Sequence, residues 1–356
     1  MELKIINTKQ QFQETKEKWN CIVDIMVDST PFQLWEWNYY WWENHEQDSK
    51  LFILEAFEIK DVFGYAPLVV RDGSIKFLGG KHFDYGMFIC AERKREIFEL
   101  FFKCIYSYCR EHKVTFRFDC IPVWGTQYGF FREQAKANRK MLLLEQVDTA
   151  GVTLTEYQSF DNYKKAISSS LRKKAIRPCQ KEDIIYEIEE FSEALWDDIE
   201  MIYNERQEDR VGYSTLSWAK EIVRVLNANN MLKISTFKHR GVRVAFLIFF
   251  EVSGTDYIWL TAFKKVAKYQ LGHYIRYCLI ERAYAGEIEK VDMMRGAYAY
   301  KKQWDCSTSV NYEMVYFTRI CQKWLYVLWK KLRVYIRNVV YGNQKLLNWY
   351  KKHVNK

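Results

Sequence analysis

Val291-Asp292-Met293-Met294-Arg295-Gly296 opens a stretch that continues, after Ala297, as Tyr298-Ala299-Tyr300-Lys301-Lys302-Gln303-Trp304. It has the pattern of a strand end that carries an Asp and a Gly, and a Tyr-Lys pair and a Trp follow. Folds that mix helices and strands commonly present functional side chains in this way, at the end of a strand. The same pattern fits an ordinary strand and loop with a surface lysine, so the surrounding chain has to separate the two interpretations.

The stretch closes a segment whose order of elements already occurs earlier in the chain. In the later segment, β-prone runs at 232–237, 242–252 and 256–262 precede a helix at 271–284 and a strand at 290–294. In the earlier segment, runs at 51–58, 62–71 and 75–78 precede a helix at 92–113 and a strand at 115–119. The two segments share no obvious residues, so the sequence predicts a topological duplication with a boundary near residues 140–160. The mixed order of strands and helices predicts an α+β fold.

The composition is that of a folded globular protein. Hydrophobic residues make up 49% of the 356 residues, with only 15 Gly and 4 Pro, which excludes disordered and low-complexity classes. The nine Cys include no Cys-x-x-Cys pair, so neither a zinc site nor a disulfide framework is predicted. The start of the chain has no apolar signal core, and the longest apolar run, residues 244–250, is far shorter than a membrane span. We therefore expect a cytoplasmic protein that binds no metal.

The net charge of +9 is concentrated near the C-terminus. Residues 318–356 contain ten Lys or Arg and no Asp or Glu, which leaves 44 basic and 45 acidic residues in the rest of the chain. A near-neutral body lacks the basic surface of a nucleic-acid-binding protein, and no binding motif accompanies the charge. Nucleic acid is therefore not an expected partner.

The basic segment has the periodicity of an amphipathic helix. Six apolar residues share one face and five basic residues share the other: Leu325, Leu328, Trp329, Leu332, Ile336 and Val339, against Lys323, Lys330, Lys331, Arg333 and Arg337. Such a helix either packs its apolar face on the body of the protein or docks on an anionic membrane surface. The sequence leaves both open, so a peripheral location on the inner face of the membrane is an alternative to a purely cytoplasmic one.

A second feature of interest is the loop at 264–270, which connects a β-prone run to a predicted helix. A helix start reached from a strand offers unpaired backbone N–H groups and the positive end of the helix dipole, which suits a pyrophosphate. A glycine there would let a ligand approach the backbone closely, and three loop lysines would add positive charge (Lys264, Lys265 and Lys268). The pattern predicts an anion site at Gln270, Leu271, Gly272 and His273.

Together these features resemble the GNAT acetyltransferase superfamily, in which such a loop grips coenzyme A. More specifically, residues 231–305 resemble its CelD/FemAB-like branch, which is associated with cellulose and other polysaccharide biosynthesis. The motif of that branch, an Asp, a Gly and a Tyr-Lys pair, matches Asp292, Gly296, Tyr300 and Lys301. Further matches extend the resemblance to about residues 29–317: Pro31-Phe32-Gln33 with Trp37, Pro67-Leu68-Val69-Val70, Leu78-Gly79-Gly80, Asp84-Tyr85 and Val244-Ala245. At the helix start, Gln270-Leu271 replaces the Ser-Pro of the family.

The resemblance implies two tandem GNAT-like halves, residues 1–150 and 151–317, followed by the basic segment at 318–356. It implies acetyl-CoA as the acyl donor, bound in the C-terminal half. The implied acceptor is an amine, such as an amino sugar made for a surface polysaccharide, in the cleft between the halves. The implied activity is therefore that of an N-acyltransferase.

Acyl transfer from a thioester needs a free amine, an oxyanion donor and a proton for the departing sulfur. We predict that Asp84 and Asp292 orient or deprotonate the amine and that Tyr300, or failing that Tyr298, protonates the sulfur. Lys301 would stabilise negative charge or hold an anionic substrate group. A loop-capping carboxylate for Asp292 and a structural ion pair for Lys301 remain open alternatives.

Two other functions also remain open. FemAB relatives imply a transfer of amino acids from aminoacyl-tRNA to a peptidoglycan precursor, although no long helical-arm insertion is visible here. The departure at Gln270-Leu271 allows a non-catalytic, membrane-docked accessory of polysaccharide assembly. Stabilisation of the protein by acetyl-CoA would separate the first function from these two.

Overall fold

The computed structural model describes residues 1–80, 82–182, 184–207, 215–264, 269–296 and 298–342. Its strands are β1 (Glu2–Ile6), β2 (Lys50–Leu51), β3 (Ile53–Glu58), β4 (Asp61–Ala66), β5 (Leu68–Arg71), β6 (Ser74–Phe77), β7 (Ile89–Cys90), β8 (Thr115–Pro122), β9 (Met141–Thr153), β10 (Ile185–Glu189), β11 (Leu232–His239), β12 (Val242–Val252), β13 (Thr255–Phe263), β14 (Lys290–Arg295) and β15 (Ser307–Tyr316). Its α-helices are α1 (Lys9–Glu14), α2 (Lys16–Ile25), α3 (Trp35–His45), α4 (Lys94–His112), α5 (Tyr128–Ala137), α6 (Phe160–Ala166), α7 (Ser169–Leu171), α8 (Arg177–Lys181), α9 (Glu193–Gln207), α10 (Lys220–Ala228), α11 (Leu271–Ala285) and α12 (Ile320–Gly342).

One sheet of eleven strands runs through both halves in the order β10-β11-β12-β13-β14-β9-β15-β8-β6-β5-β2. A second sheet of four strands, in the order β1-β3-β4-β7, belongs to the N-terminal half. Neighbouring strands of the large sheet are mostly antiparallel, but β13 pairs with β14 and β6 pairs with β8 in parallel. The α+β fold with two similar halves is thus confirmed, and each half contains one parallel pair.

The two halves are joined by β9 and β15, which pair with each other along ten residues of β15. β9 also pairs with β14 of the C-terminal half, and β15 also pairs with β8 of the N-terminal half. The predicted boundary at residue 150 therefore falls inside one strand, β9, while the boundary at 317 falls between β15 and α12. Because the last strand before α12 lies between β8 and β9, the halves share a single continuous sheet.

The predicted elements of the C-terminal half are found as β11, β12, β13, α11 and β14, each within two residues of its predicted bounds. The N-terminal half differs more. Its predicted strand at 62–71 is two strands in different sheets, β4 and β5, separated by Pro67. Proline has no N–H to donate to a sheet, so the ladder is interrupted there. The carbonyl of Pro67 instead accepts a 2.9 Å hydrogen bond from the amide of Leu78.

The core lies on both faces of the large sheet, as β12 shows. Ala245, Leu247 and Phe249 face a cluster formed with α6 to α8 and α11. The alternate residues, Phe246, Ile248 and Phe250, belong to a larger cluster that includes α9, α10 and the N-terminal half. Burial on both faces explains why this strand reads as a continuous apolar run.

The segment before and within α3 attaches the N-terminal half to the second face. The ring of Phe32 packs against Phe250 at 6.4 Å, and Trp37 packs edge-on against Trp259 at 5.3 Å. The side chain of Gln33 donates a 3.0 Å hydrogen bond to the backbone carbonyl of Tyr85. The Pro31-Phe32-Gln33 and Trp37 motif therefore packs inside the protein at the junction between the halves.

Candidate functional site

The candidate site begins where the parallel strands β13 and β14 separate. Their register is limited to Thr255–Tyr257 against Lys290–Asp292, although β13 continues to Phe263 and β14 to Arg295. The carboxyl ends of the two strands therefore diverge and leave a gap at the edge where parallel sheets commonly bind ligands. Strand β14 is also irregular against β9, because its register shifts between Asp292 and Arg295.

The corresponding gap in the N-terminal half is filled by aromatic side chains. There, β6 and β8 also pair in parallel over three residues. The ring of Phe77 lies 6.3 Å from Phe83, 5.7 Å from Phe88 and 4.7 Å from Phe118. Gly86 lets the loop approach this cluster, since a Cβ atom there would lie 2.8 Å from the Phe77 ring and 2.4 Å from the carbonyl oxygen of Asp119. The N-terminal gap is thus part of the core.

A cavity of about 850 Å³ occupies the gap of the C-terminal half. Its walls come from the end of α9, the end of β13, the start of α11 and the turn after β14: Arg206, Gln207, Thr261, Phe263, Tyr269, Gln270, Gly272, His273, Arg276, Tyr298 and Tyr300. Among these lining residues, all from the described part of the chain, two are arginines and none is Asp or Glu. The cavity therefore favours an anionic or neutral ligand.

The start of α11 forms one wall of this cavity. Gln270, at the N-cap, makes no side-chain capping bond, and its carbonyl accepts from the amides of His273 (2.9 Å) and Tyr274 (3.3 Å). A Cβ atom on Gly272 would lie 2.6 Å from the ring of Phe263, so the missing side chain makes room for this ring. In the structure, Gly272 therefore makes room for the Phe263 ring, whereas the sequence suggested that it would let a ligand approach the backbone. Of the loop lysines, Lys265 and Lys268 lie outside the described residues.

Arg276, His273 and Tyr300 meet on the same wall. The guanidinium of Arg276 donates a 3.0 Å hydrogen bond to the hydroxyl of Tyr300 and another bond to the carbonyl of Gly272. The imidazole of His273 lies 6.2 Å from the Tyr300 ring, and its buried Nδ1 has no partner among the described residues. Burial, assisted by the charge of Arg276, lowers the pKa of His273, so its imidazole is neutral at pH 7.

The turn that carries Tyr298 and Tyr300 is held by a bulge at the end of β14. Met294 adopts a left-handed backbone conformation with φ 60°, and its amide donates a 2.7 Å hydrogen bond to the Asp292 carboxylate. The Lys301 ammonium donates to three consecutive carbonyls, those of residues 293–295, at 2.7, 2.9 and 3.0 Å. Burial lowers the pKa of Lys301 to about 8. Both motif residues thus fix the backbone of the bulge.

Gly296 completes this turn. Its φ of 90° lies in the region that favours glycine, and a Cβ atom there would lie 2.4 Å from the ring of Tyr298. The rings of Tyr298 and Tyr300 then stack at 6.1 Å with an interplanar angle of 11°. Tyr298 is 63% exposed at the mouth of the cavity, while Tyr300 is partly buried.

The two predicted acidic residues, Asp84 and Asp292, both take part in the junction between the halves. Asp84, 6% exposed, accepts a 3.0 Å bond from the amide of Arg295 and forms an ion pair with its guanidinium. Burial raises the pKa of the Asp84 carboxyl, and Arg295 opposes this shift. The hydroxyl of Tyr85 donates to both carboxylate oxygens of Asp292, at 3.0 and 2.9 Å. The Asp84-Tyr85 motif therefore binds the N-terminal half to the bulge of β14.

The structure thus brings together only part of the predicted site. Four of the eight candidate residues line the cavity: Gln270, Gly272, His273 and Tyr300. The other four do not line it: Leu271 is fully buried in α11, and Asp84, Asp292 and Lys301 form the junction and the bulge. Arg276 was missed, although it lies one helical turn after Gly272 and hence on the same face. Arg206 was also missed, because it comes from α9 and no local pattern connects it to the cavity.

Two tandem α+β halves, with a cavity between splayed parallel strands at the start of a helix, define a GNAT-type acyltransferase fold. Residues 170–302 match a family model described as an acetyltransferase (GNAT) domain. This match covers β10 to β14 and the whole candidate cavity. A comparison with curated protein sequences gave no match.

Among solved structures, the chain is similar to FemX, with 12% identity, coverage of 92% of this chain and 99% of that chain, and a TM-score of 0.65. It is also similar to the C-terminal domain of a putative lysylphosphatidylglycerol synthetase from Agrobacterium fabrum (11% identity, 85% and 92% coverage, TM-score 0.57). A third similar structure is a tandem GNAT protein from the clavulanic acid biosynthesis pathway (12% identity, 88% and 98% coverage, TM-score 0.53). At these identities the likeness establishes the fold and not the substrate.

We predict that Lys301→Met destabilises the protein because three carbonyl oxygens at the bulge lose their donor. The free energy of unfolding should fall by about 2 kcal/mol at pH 7. Lys302→Met, which changes the exposed neighbouring lysine, is the matched control and should differ from the original protein by less than about 0.5 kcal/mol. Urea unfolding measures both, and equal stabilities for the two variants would contradict the holding role of Lys301.

Proposed function

We propose that the protein is an N-acyltransferase that takes its acyl group from an acyl-CoA, most simply acetyl-CoA. The proposal depends chiefly on the cavity between the splayed ends of β13 and β14, at the start of α11. A helix start and two arginines supply what a diphosphate requires, and the gap between the strands gives access to the sheet. The GNAT family match covers these same elements.

The residues of the cavity fit an anionic donor. Arg206 and Arg276 would hold phosphate oxygens, together with the first-turn amides of α11. The Arg206 guanidinium lies 4.9 Å from the centroid of the Phe263 ring, which places its charge at the cavity wall. Acetyl-CoA, when bound, supplies an acyl group activated as a thioester. The family's Ser-Pro is replaced by Gln270-Leu271, but α11 still begins at Leu271 without a side-chain cap.

Two side chains would move protons during transfer. The new bond joins the amine nitrogen to the acyl carbon, and the carbon–sulfur bond breaks. His273, neutral and on the wall of the cavity, would accept the proton that the amine loses. Tyr300 would give its phenolic proton to the departing sulfur, and the bond from Arg276 would stabilise the phenolate that forms.

The remaining predicted catalytic residues act through the backbone in this proposal. Asp292 and Lys301 hold the bulge from which the turn with Tyr298 and Tyr300 starts. Asp84 holds the same bulge through Arg295. We therefore assign them positioning roles in place of the proton-transfer and charge-stabilising roles predicted from the sequence.

For the acceptor, we retain an amino sugar or similar amine of a surface polysaccharide, which rests on the resemblance to the CelD/FemAB-like branch. The exposed ring of Tyr298 at the cavity mouth offers a flat apolar surface to a sugar ring. All the described residues that line the cavity belong to the C-terminal half. The acceptor would therefore approach the mouth of the cavity at Tyr298, and the N-terminal half would support the wall.

Aminoacyl transfer is the second candidate function, and the end-to-end similarity to FemX favours it. The chain covers 99% of FemX, so the absence of a long inserted arm does not separate the two functions. The name of the similar lysylphosphatidylglycerol synthetase also describes a transfer of an amino acid. In this candidate the donor would be an aminoacyl-tRNA, and the same cavity would receive its acylated end.

We predict that acetyl-CoA raises the melting temperature of the protein, since a ligand that binds only the native state at 100 times its Kd adds about 2.7 kcal/mol. Arg206→Ala should weaken this binding by roughly tenfold, because it removes a cation from the cavity wall. Arg132→Ala, at an exposed position on α5, is the matched control and should leave binding unchanged.

The same measurement separates the candidates. Stabilisation by aminoacyl-tRNA but not by acetyl-CoA would replace the first function with the second. No stabilisation by either donor would favour the non-catalytic accessory.

We predict that His273→Gln and Tyr300→Phe each lower kcat by about 10²-fold while the KM for the donor changes little. Turnover of the original protein should fall at acidic pH. His273 has a pKa below its ordinary value of 6.5, so the loss of activity should begin below pH 6.5, as the imidazole becomes protonated. In His273→Gln this acidic loss should be absent.

The control for these variants is Tyr298→Phe, which keeps the stacked ring and should retain most of the activity. A large loss in Tyr298→Phe with none in Tyr300→Phe would assign the proton donor to Tyr298. Full activity in both His273→Gln and Tyr300→Phe would contradict the proposed chemistry. Release of the CoA thiol measures turnover with a panel of amino sugars.

A further inference from the structure

Helix α12 turns its apolar side chains away from the body of the protein. Ten apolar side chains in the described part of the helix are at least 42% exposed, and eight of them share one side: Trp324, Leu325, Leu328, Trp329, Leu332, Tyr335, Ile336 and Val339. At 100° per residue they fall within an arc of about 140° on the helix, which we call the outer stripe. An exposed apolar surface of this kind marks an interaction site.

The opposite side of α12 is held to the body by polar contacts, and it also carries Val327 and Val334. The hydroxyl of Tyr326 donates to the Glu313 carboxylate at 3.2 and 3.1 Å, and Lys330 forms an ion pair with the same carboxylate. Lys323 donates a 2.9 Å bond to the carbonyl of Arg139. Glu313 is fully buried, so this side of the helix is fixed in place. In the described part of the helix, the apolar face therefore does not pack on the body, which was one of the two alternatives from the sequence.

We propose that the outer stripe docks on the surface of an anionic lipid bilayer. Residues 318–356 contain ten basic and no acidic residues, which complements anionic head groups. The exposed cations Lys331 and Arg333 flank the two edges of the stripe, and the tryptophans Trp324 and Trp329 stand at those edges. Aromatic rings beside cations at the border of an apolar face are typical of helices that lie in the membrane interface.

The helix would lie along the surface rather than cross it. Within the described residues, no helix is long and apolar enough to span a bilayer. The charged residues of α12 also leave one side polar, which suits partial burial in the head-group region. The outer stripe would enter the lipid while Tyr326 and Lys330 keep the helix attached to the body.

A second copy of the chain fits the outer stripe less well. Paired helices are stabilised by opposite charges at the edges of their apolar seam. Two copies of α12 would bring only cations together, since residues 318–356 contain no Asp or Glu. The arc of about 140° is also wider than the seam of a two-stranded coiled coil.

The test is co-sedimentation of the full chain with phosphatidylcholine vesicles that contain or lack phosphatidylglycerol. The protein should bind the anionic vesicles and not the neutral ones. Leu328→Gln/Leu332→Gln, in the middle of the stripe, should weaken binding at least tenfold, because two apolar side chains would no longer be buried in the lipid. Lys331→Gln/Arg333→Gln should weaken it about 25-fold on anionic vesicles, at about fivefold per cation.

The matched control is Ile25→Gln/Val27→Gln, which changes two apolar residues that are 67% and 85% exposed elsewhere on the surface. It should bind the vesicles as the original protein does. Because all these positions are exposed, the variants should keep the original melting temperature, which shows that they remain folded. Equal binding by the stripe variant, or no binding of the full chain to anionic vesicles, would overturn the proposal. A dimer in sedimentation velocity that the stripe variant dissociates would assign the stripe to a second copy and would also overturn it.

Discussion

The limited pairing between β13 and β14 is the constraint from which the candidate site follows. A straight β14 would continue beside β13 and close the gap with further backbone hydrogen bonds. The bulge prevents this because Met294 is held in a left-handed conformation that costs a non-glycine residue about 1 to 2 kcal/mol. Asp292 and Lys301 stabilise it through the amide of Met294 and three carbonyls. The open end of the sheet therefore depends on two charged residues that do not line the cavity.

The N-terminal half contributes to this site from a distance. Its own parallel pair is closed by the ring of Phe77 and its neighbours, so it forms part of the core and offers no comparable gap. What it supplies is the Asp84-Tyr85 segment, which contacts Arg295 and Asp292 on either side of the bulge. Within one continuous sheet, the C-terminal half thus contains the open cavity, and the N-terminal half supports the bulge beside that cavity.

The sequence predicted the C-terminal half well because its strands are long apolar runs and its helix lies between clear turns. It predicted less of the N-terminal half, where Pro67 divides one apolar run between two sheets. The strand β15 was missed, and its pairing with both halves arises from contacts far apart in the chain. For the site, the motif at 292–301 pointed to the turn beside the cavity, but a sequence pattern does not show where a side chain points. The charged groups of Asp292 and Lys301 bind backbone groups, whereas Arg206 and Arg276 line the cavity.

We propose that the cavity between β13 and β14 binds the acyl donor, and a crystal structure of the protein with acetyl-CoA would test this. Phosphate oxygens should lie within hydrogen-bond distance of the first-turn amides of α11 and of Arg206 or Arg276, with the acyl group in the gap between the strands. Acetyl-CoA bound at the junction near Asp84, or elsewhere on the surface, with the cavity empty would contradict the proposal.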